Sequence, residues 1–288
     1  MHVSMTQALL VVILLFCVSA MLNAGLSMTV RQMIAPFYDV SLAASAFAAS
    51  YLLVPALATG IAWIFSLAEP LRAGLILLSL TAGGEAGPRI TEMARGNVPF
   101  SVGLLAAQLM ITMVYAPLVL SLALPEAHIQ FGRLIVKLLL LVLAPLALGM
   151  YVNARHRKLA ERLGHPLRLA SMVLLVLMVT LIAMLQYRNL LELFGTRAIA
   201  AAALFAVLSF IGGYVLGGST TENRRTLAIM SCGRNASISL MIASQVFAEP
   251  HVLVMIMATT FVIVGMLLPA AYWLGQRTEP PSPGLSLA

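Results

Sequence analysis

Leu75–Gly96 reads LILLSLTAGGEAGPRITEMARG, an apolar run that three glycines and a proline interrupt within six residues. Relative to alanine, glycine costs a helix about 1 kcal/mol and proline about 3 kcal/mol, so this cluster predicts an opened backbone in mid-helix. A second apolar run, Thr226–Ser244, reads TLAIMSCGRNASISLMIAS and contains a comparable block of small and polar residues. We therefore predict two broken helices, and the rest of the fold is interpreted around them.

The composition excludes a soluble protein. Of the 288 residues, 61% are hydrophobic and 9% are charged, whereas about 25% of a soluble domain is charged. So few charges cannot cover a water-facing surface, which excludes a soluble enzyme, a disordered chain and a collagen-like chain. The apolar runs are continuous rather than alternating, and this favours helices over membrane strands. The predicted fold class is an all-α polytopic membrane protein, with residues 1–288 forming a single transmembrane domain.

Apolar runs between charged residues, glycines and prolines predict about nine transmembrane helices. The predicted spans are Thr6–Met28, Ala43–Phe65, Leu71–Arg95 with a break, Val98–Leu124, Gly132–Val152, Leu167–Gln186, Thr196–Leu216, Thr226–Phe247 with a break, and His251–Leu274. The last residues, 278–288, are rich in proline and are expected to form a short polar tail.

The two breaks occupy matching positions in the order of spans. Each is followed by one unbroken helix. They are the third and eighth spans, five apart in order, and this odd difference means that they cross the bilayer in opposite directions. We therefore predict an inverted-topology repeat, with residues 6–124 as a first repeat that is one helix short and residues 132–274 as the second. Transporters built in this way bind substrate near the midplane, between the two discontinuous helices.

The basic residues predict an orientation. Ten fall on the side of the C-terminus: Arg31, Arg95, Arg155, Arg157, Lys158, Arg162, Arg168, Arg224, Arg225 and Arg277. Five fall on the other side: Arg72, Arg133, Lys137, Arg188 and Arg197. Because positive loops stay in the cytoplasm, the C-terminus is expected inside and the N-terminus outside, in a bacterial inner membrane. Two cations remain within the spans, Arg89 and Arg234.

No motif for a cofactor, a metal or catalysis is found. The two cysteines, Cys17 and Cys232, lie in apolar stretches, and the five histidines have no metal-ligand spacing. The glycines at Gly83, Gly84 and Gly87 lack the ending of a phosphate-binding loop. We expect no catalytic residue, no metal and no cofactor. Because the net charge of +7 is explained by topology, the expected partners are the lipid bilayer and a small substrate, not nucleic acid. The oligomeric state stays open.

In and around the two predicted breaks, the chain resembles the bile acid:sodium symporter (BASS) family. Similar segments are Gly83-Gly84 through Arg95-Gly96-Asn97-Val98 with Ser101, Cys232-Gly233-Arg234-Asn235-Ala236-Ser237, and, less strongly, Met21–Met28. The resemblance implies a core domain around two crossing broken helices, a panel domain that rocks against it, and sodium-coupled uptake of organic anions such as bile acids. Ten-helix members of the family have one helix before the point that matches the first span here.

The sequence also departs from that family at the positions where its members hold sodium. Gly87-Pro88 replaces a Ser-Asn pair, and Met230 and Arg234 align with a Glu and a Gln. Because sodium needs several oxygen ligands and a fixed guanidinium repels it, the usual sodium coupling is in doubt. The coupling ion is left open between a residual sodium site, a proton and anion exchange. The candidate ion-binding residues are Ser101, Glu85, Gly87 and Met230.

Arg234 places a permanent positive charge at the second break. One hypothesis is that it clamps a carboxylate or sulfate, with Glu85 as counter-ion or proton carrier. The other is a structural ion pair, in which Glu85 pairs with Arg89, four residues on, or with Arg234 across the crossing. The candidate substrate-binding residues are Arg234, Asn235, Glu85, Arg89, Ser231, Ser237, Asn23 and Thr81.

The sequence thus predicts a secondary active transporter that moves a small organic anion (bile acid-like, carboxylate or sulfate) by alternating access. The alternative is a BASS-like membrane sensor or scaffold that does not transport. Mutual neutralisation of Glu85, Arg89 and Arg234 would favour the scaffold. A water-accessible cavity that reaches Arg234 would favour transport. A membrane enzyme is the weakest possibility.

Overall fold

The protein is helical through nearly all of its described length. The computed structural model describes residues 2–29, 39–123, 131–188, 193, 196–247 and 249–276. The helices are α1 (His2–Ser27), α2 (Val40–Ala48), α3 (Val54–Ile64), α4 (Glu69–Leu80), α5 (Gly87–Met93), α6 (Val98–Ala123), α7 (Phe131–Leu138), α8 (Ala144–Arg155), α9 (Arg157–Leu185), α10 (Ala198–Leu216), α11 (Thr221–Cys232), α12 (Ala236–Val246) and α13 (Pro250–Gln276). Two π-helical turns, Ala49–Leu53 and Leu139–Leu143, join α2 to α3 and α7 to α8.

Seven helical segments in the described part of the chain are long and apolar enough to cross a membrane. They are Gln7–Ser27, Val40–Ile64, Val98–Leu120, Gly132–Arg155, Arg157–Leu185, Ala198–Leu216 and Pro250–Gln276. The two other predicted spans are the broken ones, which α4 with α5 and α11 with α12 now occupy. The prediction of an all-α polytopic membrane protein is confirmed.

The helices pack in two groups. The first is α1 with α8 and α9, and the second includes α3, α4, α10, α11 and α13. In the first group α1 and α8 meet at Gly25 and Gly149, where a Cβ on Gly25 would lie 2.2 Å from the carbonyl oxygen of Leu146. Such a close backbone approach requires glycine on both helices. The division into residues 6–124 and 132–274 as inverted repeats stays a prediction.

The sixth span begins earlier than the sequence predicted. Helix α9 starts at Arg157, ten residues before the predicted start at Leu167, and it contains Pro166. The charged residues before Leu167 predict a boundary, but they are good helix formers, and Arg157 pairs with Glu161 one turn later at 3.3 Å. Arg168, the second residue of the predicted span, consequently lies three turns into the helix. Arg31, Arg277 and the predicted tail 278–288 lie outside the described residues.

Candidate functional site

The first break separates α4 from α5. Helix α4 ends at Leu80, and the chain is irregular until α5 begins at Gly87 with Pro88 in its first turn. Gly83 has a φ of +90°, a conformation that side chains with a Cβ rarely adopt. Pro88 is tolerated because the first turn of a helix has no internal partner for its N–H. The glycine cluster therefore produces the predicted opening.

The second break is shorter and more extended. Helix α11 ends at Cys232, and Gly233, Arg234 and Asn235 lead into α12. The side chain of Asn235 caps α12, because its Oδ1 accepts a hydrogen bond of 2.9 Å from the backbone N–H of Ile238. Polar residues in the middle of this span thus end one half-helix and begin the next.

The two breaks lie against each other. Ala82 and Arg234 form an isolated antiparallel β-bridge. The backbone N–H of Asn235 donates to the carbonyl of Thr81 at 2.8 Å, and its side-chain Nδ2 donates to the carbonyl of Gly83 at 2.9 Å. Each break thereby satisfies backbone groups that the other leaves unpaired, as buried polar groups require. The expected crossing of two broken helices is present.

Glycines allow this contact. A Cβ on Gly84 would lie 3.0 Å from the backbone carbon of Gly233, and a Cβ on Gly87 would lie 2.6 Å from the sulfur of Met230. Met230 is 1% exposed, so its thioether fills the space beside Gly87. Both residues were candidate ion ligands. A thioether is a soft ligand that suits neither sodium nor other hard cations.

Arg234 is buried at the crossing and bonded to protein oxygens. It is 6% exposed. One terminal nitrogen donates to the carbonyls of Ser50 at 3.2 Å and Ser79 at 3.1 Å, and the other donates to the carbonyl of Ser231. Three backbone carbonyls from three separate segments therefore share one guanidinium.

Those carbonyls are available for identifiable reasons. Ser79 and Ser231 lie in the last turns of α4 and α11, where carbonyls lose their helical donors. Ser50 lies in the π-helical turn, in which the N–H of Val54 donates to Ala49 instead. The next donor in that register is missing, since residue 55 is proline. All three carbonyls are thus left without a helical partner.

Glu85 does not pair with either arginine. Its Oε1 accepts a 2.9 Å hydrogen bond from the hydroxyl of Ser237, and no ion pair joins it to Arg89 or Arg234, all of which the structure describes. The (i, i+4) pairing requires a helix, but Glu85 precedes the first residue of α5. The structural ion pair considered from the sequence is absent from this part of the structure.

A cavity of about 330 Å³ lies between the first break and helices α1, α6 and α9. Three predicted site residues line it, namely Asn23, Glu85 and Arg89. The other predicted substrate residues are not among its lining residues: Thr81, Ser231, Arg234, Asn235 and Ser237. The predicted site therefore separates into a packed crossing and an adjoining cavity.

Arg168 lines the same cavity, and sequence reasoning missed it because it counted Arg168 only among the basic residues that set the orientation. Its Nε is buried without a hydrogen-bond partner among the described residues, and so is the Oδ1 of Asn23. Arg89 is exposed. Two guanidinium groups and one carboxylate give the cavity a formal charge of +1 when all are ionised. Buried polar atoms normally have partners, so these two indicate a place where a bound polar group fits.

The remaining wall of the cavity is largely apolar. It includes Phe16, Leu105, Val102 and Leu175 from the surrounding helices. Ligand sites of this kind combine an apolar lining with a few polar groups that fix orientation. The arrangement suits a molecule that carries both an anionic group and a hydrocarbon body.

The hydroxyl groups proposed as ligands bond mainly within the protein. Ser101 donates to the carbonyl of Val98 at 2.7 Å. Thr81 donates to the carbonyl of Leu78 at 3.0 Å and contacts the hydroxyl of Ser239. Ser and Thr in membrane helices often bond their own backbone in this way, which leaves them little capacity for a ligand.

Comparison with known proteins gives a consistent assignment. A family model described as "Sodium Bile acid symporter family" matches residues 12–193. The chain is 29% identical over 241 residues to a protein of Oryza sativa subsp. japonica named "Probable sodium/metabolite cotransporter BASS2, chloroplastic", covering 81% of this chain and 57% of that protein.

Two further relatives agree. "Probable sodium/metabolite cotransporter BASS1, chloroplastic" of Arabidopsis thaliana is 26% identical over 235 residues, 80% of this chain and 58% of its own length. "Uncharacterized sodium-dependent transporter YocS" of Bacillus subtilis (strain 168) is 30% identical over 145 residues, 50% of this chain and 45% of its own length. The chain thus spans about half the length of these relatives. Because the family model covers more than half of the chain, the protein belongs to the sodium bile acid symporter family.

Proposed function

We propose that this chain is a secondary transporter that carries a small organic anion across the membrane by alternating access. The observation that carries the proposal is the cavity between α1, α9 and the first break, which is lined by Arg89, Arg168 and a single carboxylate, that of Glu85. The cavity lies between α1 and α9 of the first packing group and α5 and α6, which pack against α11 of the second group. A movement of one group against the other would therefore change its opening. The names of the relatives, which are cotransporters, support the same class of activity.

The chemistry of the cavity favours an amphipathic anion. A guanidinium binds a carboxylate or sulfate by paired hydrogen bonds, and the unpartnered Nε of Arg168 is one such donor. The apolar wall favours a hydrocarbon body, and 330 Å³ is at the small end of the volumes that hold organic ligands. The proposed substrate is therefore a small carboxylate or sulfate rather than an inorganic ion.

Coupling to protons through Glu85 is the mode that we propose. Glu85 is the one acidic residue among those that line the cavity, and Arg89 and Arg168 are the cations that share it. A carboxylate that takes up a proton raises the net charge of the cavity by one, which favours the anion in the same step. The relatives are named for sodium, so sodium coupling is the outcome to be distinguished.

The proposed location is the inner membrane of a bacterium, with the N-terminus outside and the C-terminus in the cytoplasm. The ten-to-five distribution of basic residues supports this orientation. Under it the lining residues Ser27 and Met28, at the end of α1, lie near the cytoplasmic side. The described conformation then corresponds to a cavity nearer to the inside.

Uptake into liposomes tests the proposal. Purified protein is reconstituted, and uptake of labelled carboxylates, sulfates and sulfonates is compared with uptake of labelled amines under proton, sodium and counter-anion gradients. We expect uptake of at least one organic anion, driven by an inward proton gradient and unchanged when choline replaces sodium. Saturable anion binding without uptake would indicate the sensor instead, and uptake of amines alone would contradict the anion site.

A further inference from the structure

Arg234 presents an unusual combination for a charged group at membrane depth. It is 6% exposed, and it has no carboxylate partner among the described residues. Its two terminal nitrogens donate to backbone carbonyls only, and its Nε is buried without a hydrogen-bond partner in the same part of the chain. An unpaired buried charge of this kind is costly unless fixed dipoles replace the water that it has lost. The surroundings must therefore supply negative potential in some other form.

Two helix ends supply it. Helices α4 and α11 are each 12 residues long, and both end at the crossing, with Ser79 and Ser231 in their last turns. The C-terminus of a helix carries roughly half a negative charge, so two of them together offset roughly one positive charge. The guanidinium bonds a carbonyl at each of these ends. The charge of Arg234 is thus matched by dipoles, without an acidic residue.

The third carbonyl that Arg234 bonds, that of Ser50, is held in place by helix α6. Ser50, whose carbonyl accepts from Arg234, also receives a 2.8 Å hydrogen bond on its Oγ from Nε2 of Gln108. The neighbouring Tyr51 donates to the carbonyl of Gln108 at 2.7 Å and bonds the hydroxyl of Thr112 at 3.1 Å. Helix α6 therefore fixes the π-helical turn, and with it the direction of the Ser50 carbonyl. A preformed ring of oxygens of this kind binds a cation with little reorganisation.

We infer that the crossing contains a cation site that the protein fills with its own side chain. The guanidinium of Arg234 is the bound cation, the carbonyl oxygens of Ser50, Ser79 and Ser231 are its ligands, and no inorganic cation is required at this place. Arg234 does not contact the substrate. It joins α4, α11 and the π-helical turn into one unit, against which the cavity opens. Only the statement that Arg234 does not contact the substrate rests on the proposed function.

Chemical rescue tests this inference through thermal stability, which needs no transport activity. Arg234→Ala empties the ring of carbonyls, and the loss of three charge-assisted hydrogen bonds is expected to lower the Tm in detergent by about 10 °C. Millimolar guanidinium or methylguanidinium is expected to restore most of that loss, and choline is not. The wild type is expected to show the same Tm in sodium and in choline buffers.

The control is Arg224→Ala, on the same helix α11. Arg224 is exposed, and its Nε also donates to a backbone carbonyl, that of Gly218 at 2.7 Å. This variant is expected to keep its Tm and to show no rescue. If Arg234→Ala does not fold, Arg234→Lys keeps one charge, and its smaller loss of Tm is expected to be rescued weakly or not at all.

Two results would overturn the inference. One is a wild-type Tm that rises specifically with sodium and not with choline, which would place an inorganic cation in this protein. The other is an identical response of Arg234→Ala and Arg224→Ala to guanidinium. Neither result depends on whether an organic anion is transported. Conversely, a protein that transports nothing but shows the rescue retains the cation site and loses only the proposed function.

Discussion

At the scale of single residues, three arginines of this chain have different surroundings and hence different uses. Arg234 is buried, and its terminal nitrogens are occupied by carbonyls. The Nε atoms of Arg168 and Arg234 are both buried without a hydrogen-bond partner among the described residues, but Arg168 lines the cavity and Arg234 does not. Arg89 also lines the cavity and is exposed. A donor that protein oxygens already satisfy contributes to stability, whereas a spare donor is available to a ligand only where it lies at a cavity. Position in the membrane alone therefore does not identify a substrate residue.

Glu85 gives a prediction at this scale. Replacing Glu85 with Gln removes the titrating group but keeps a side chain that can bond Ser237. We expect uptake to lose its dependence on an inward proton gradient, because Glu85 is the one acidic residue among the described residues that line the cavity. Exchange of labelled for unlabelled anion is expected to continue. The measurement is uptake and counterflow in liposomes at several pH gradients.

The control for that prediction is Ser237→Ala. This change removes the hydrogen bond to Glu85 and leaves the carboxyl in place, so the proton dependence is expected to persist. A Glu85→Gln protein that still accumulates anion in proportion to the proton gradient would refute the role of Glu85 in coupling.

At the scale of elements, the two breaks could be predicted from the sequence, whereas the start of α9 could not. The glycine cluster and the polar block each predict a break in their helix, because glycine, proline and buried polar groups disfavour a continuous helix. The start of α9 was not readable in the same way. Charged residues such as Arg157 and Glu161 suit both a loop and the exposed end of a helix. The cavity residue Arg168 was missed because it stood at the predicted start of this span and was counted among the basic residues of the membrane surface.

The partners of Arg234 were equally inaccessible to sequence reasoning. Its charge and its place at a break are visible in the sequence, but the three carbonyls belong to segments up to 184 residues away. Backbone groups carry no signal of their own in the sequence. Only the π-helical turn offers a hint, since Pro55 removes the donor that Ser50 would need.

The crossing itself gives a prediction about glycine. In Gly84→Ala the added Cβ would meet the backbone of Gly233 at 3.0 Å and the carbonyl oxygen of Arg234 at 3.1 Å. Backbone cannot move aside easily, so we expect a loss of about 1–3 kcal/mol of stability. The measurement is the Tm in detergent.

Gly265→Ala is the matched control for the crossing. Gly265 lies inside α13, and a Cβ there would have open space around it. Alanine is the better helix former, so the Tm is expected to stay level or to rise slightly. Equal Tm values for the two variants would show that the crossing tolerates separation of its breaks.

At the scale of the whole molecule, the orientation gives a prediction that needs no substrate. The native cysteines, Cys17 and Cys232, are fully buried, so they give a low labelling background. In whole bacterial cells that express the protein, Glu69→Cys, at the start of α4, is expected to react with a membrane-impermeant maleimide. Arg157→Cys, at the start of α9, is expected to react only after permeabilisation. The reverse pattern would contradict the proposed orientation.

Transport through the cavity between α1, α9 and the first break is the central claim for the whole molecule. The most direct test is counterflow of a labelled organic anion, identified with the wild type, into liposomes that contain Arg168→Gln or Arg157→Gln. Both changes remove one positive charge from α9, but Arg168 lines the cavity, whereas the side chain of Arg157 is 85% exposed. Loss of a charge-assisted contact of about 1.5–3 kcal/mol predicts a reduction of roughly 10- to 100-fold for Arg168→Gln. We expect Arg157→Gln to match the wild type, and equal counterflow by both variants would contradict a substrate site in this cavity.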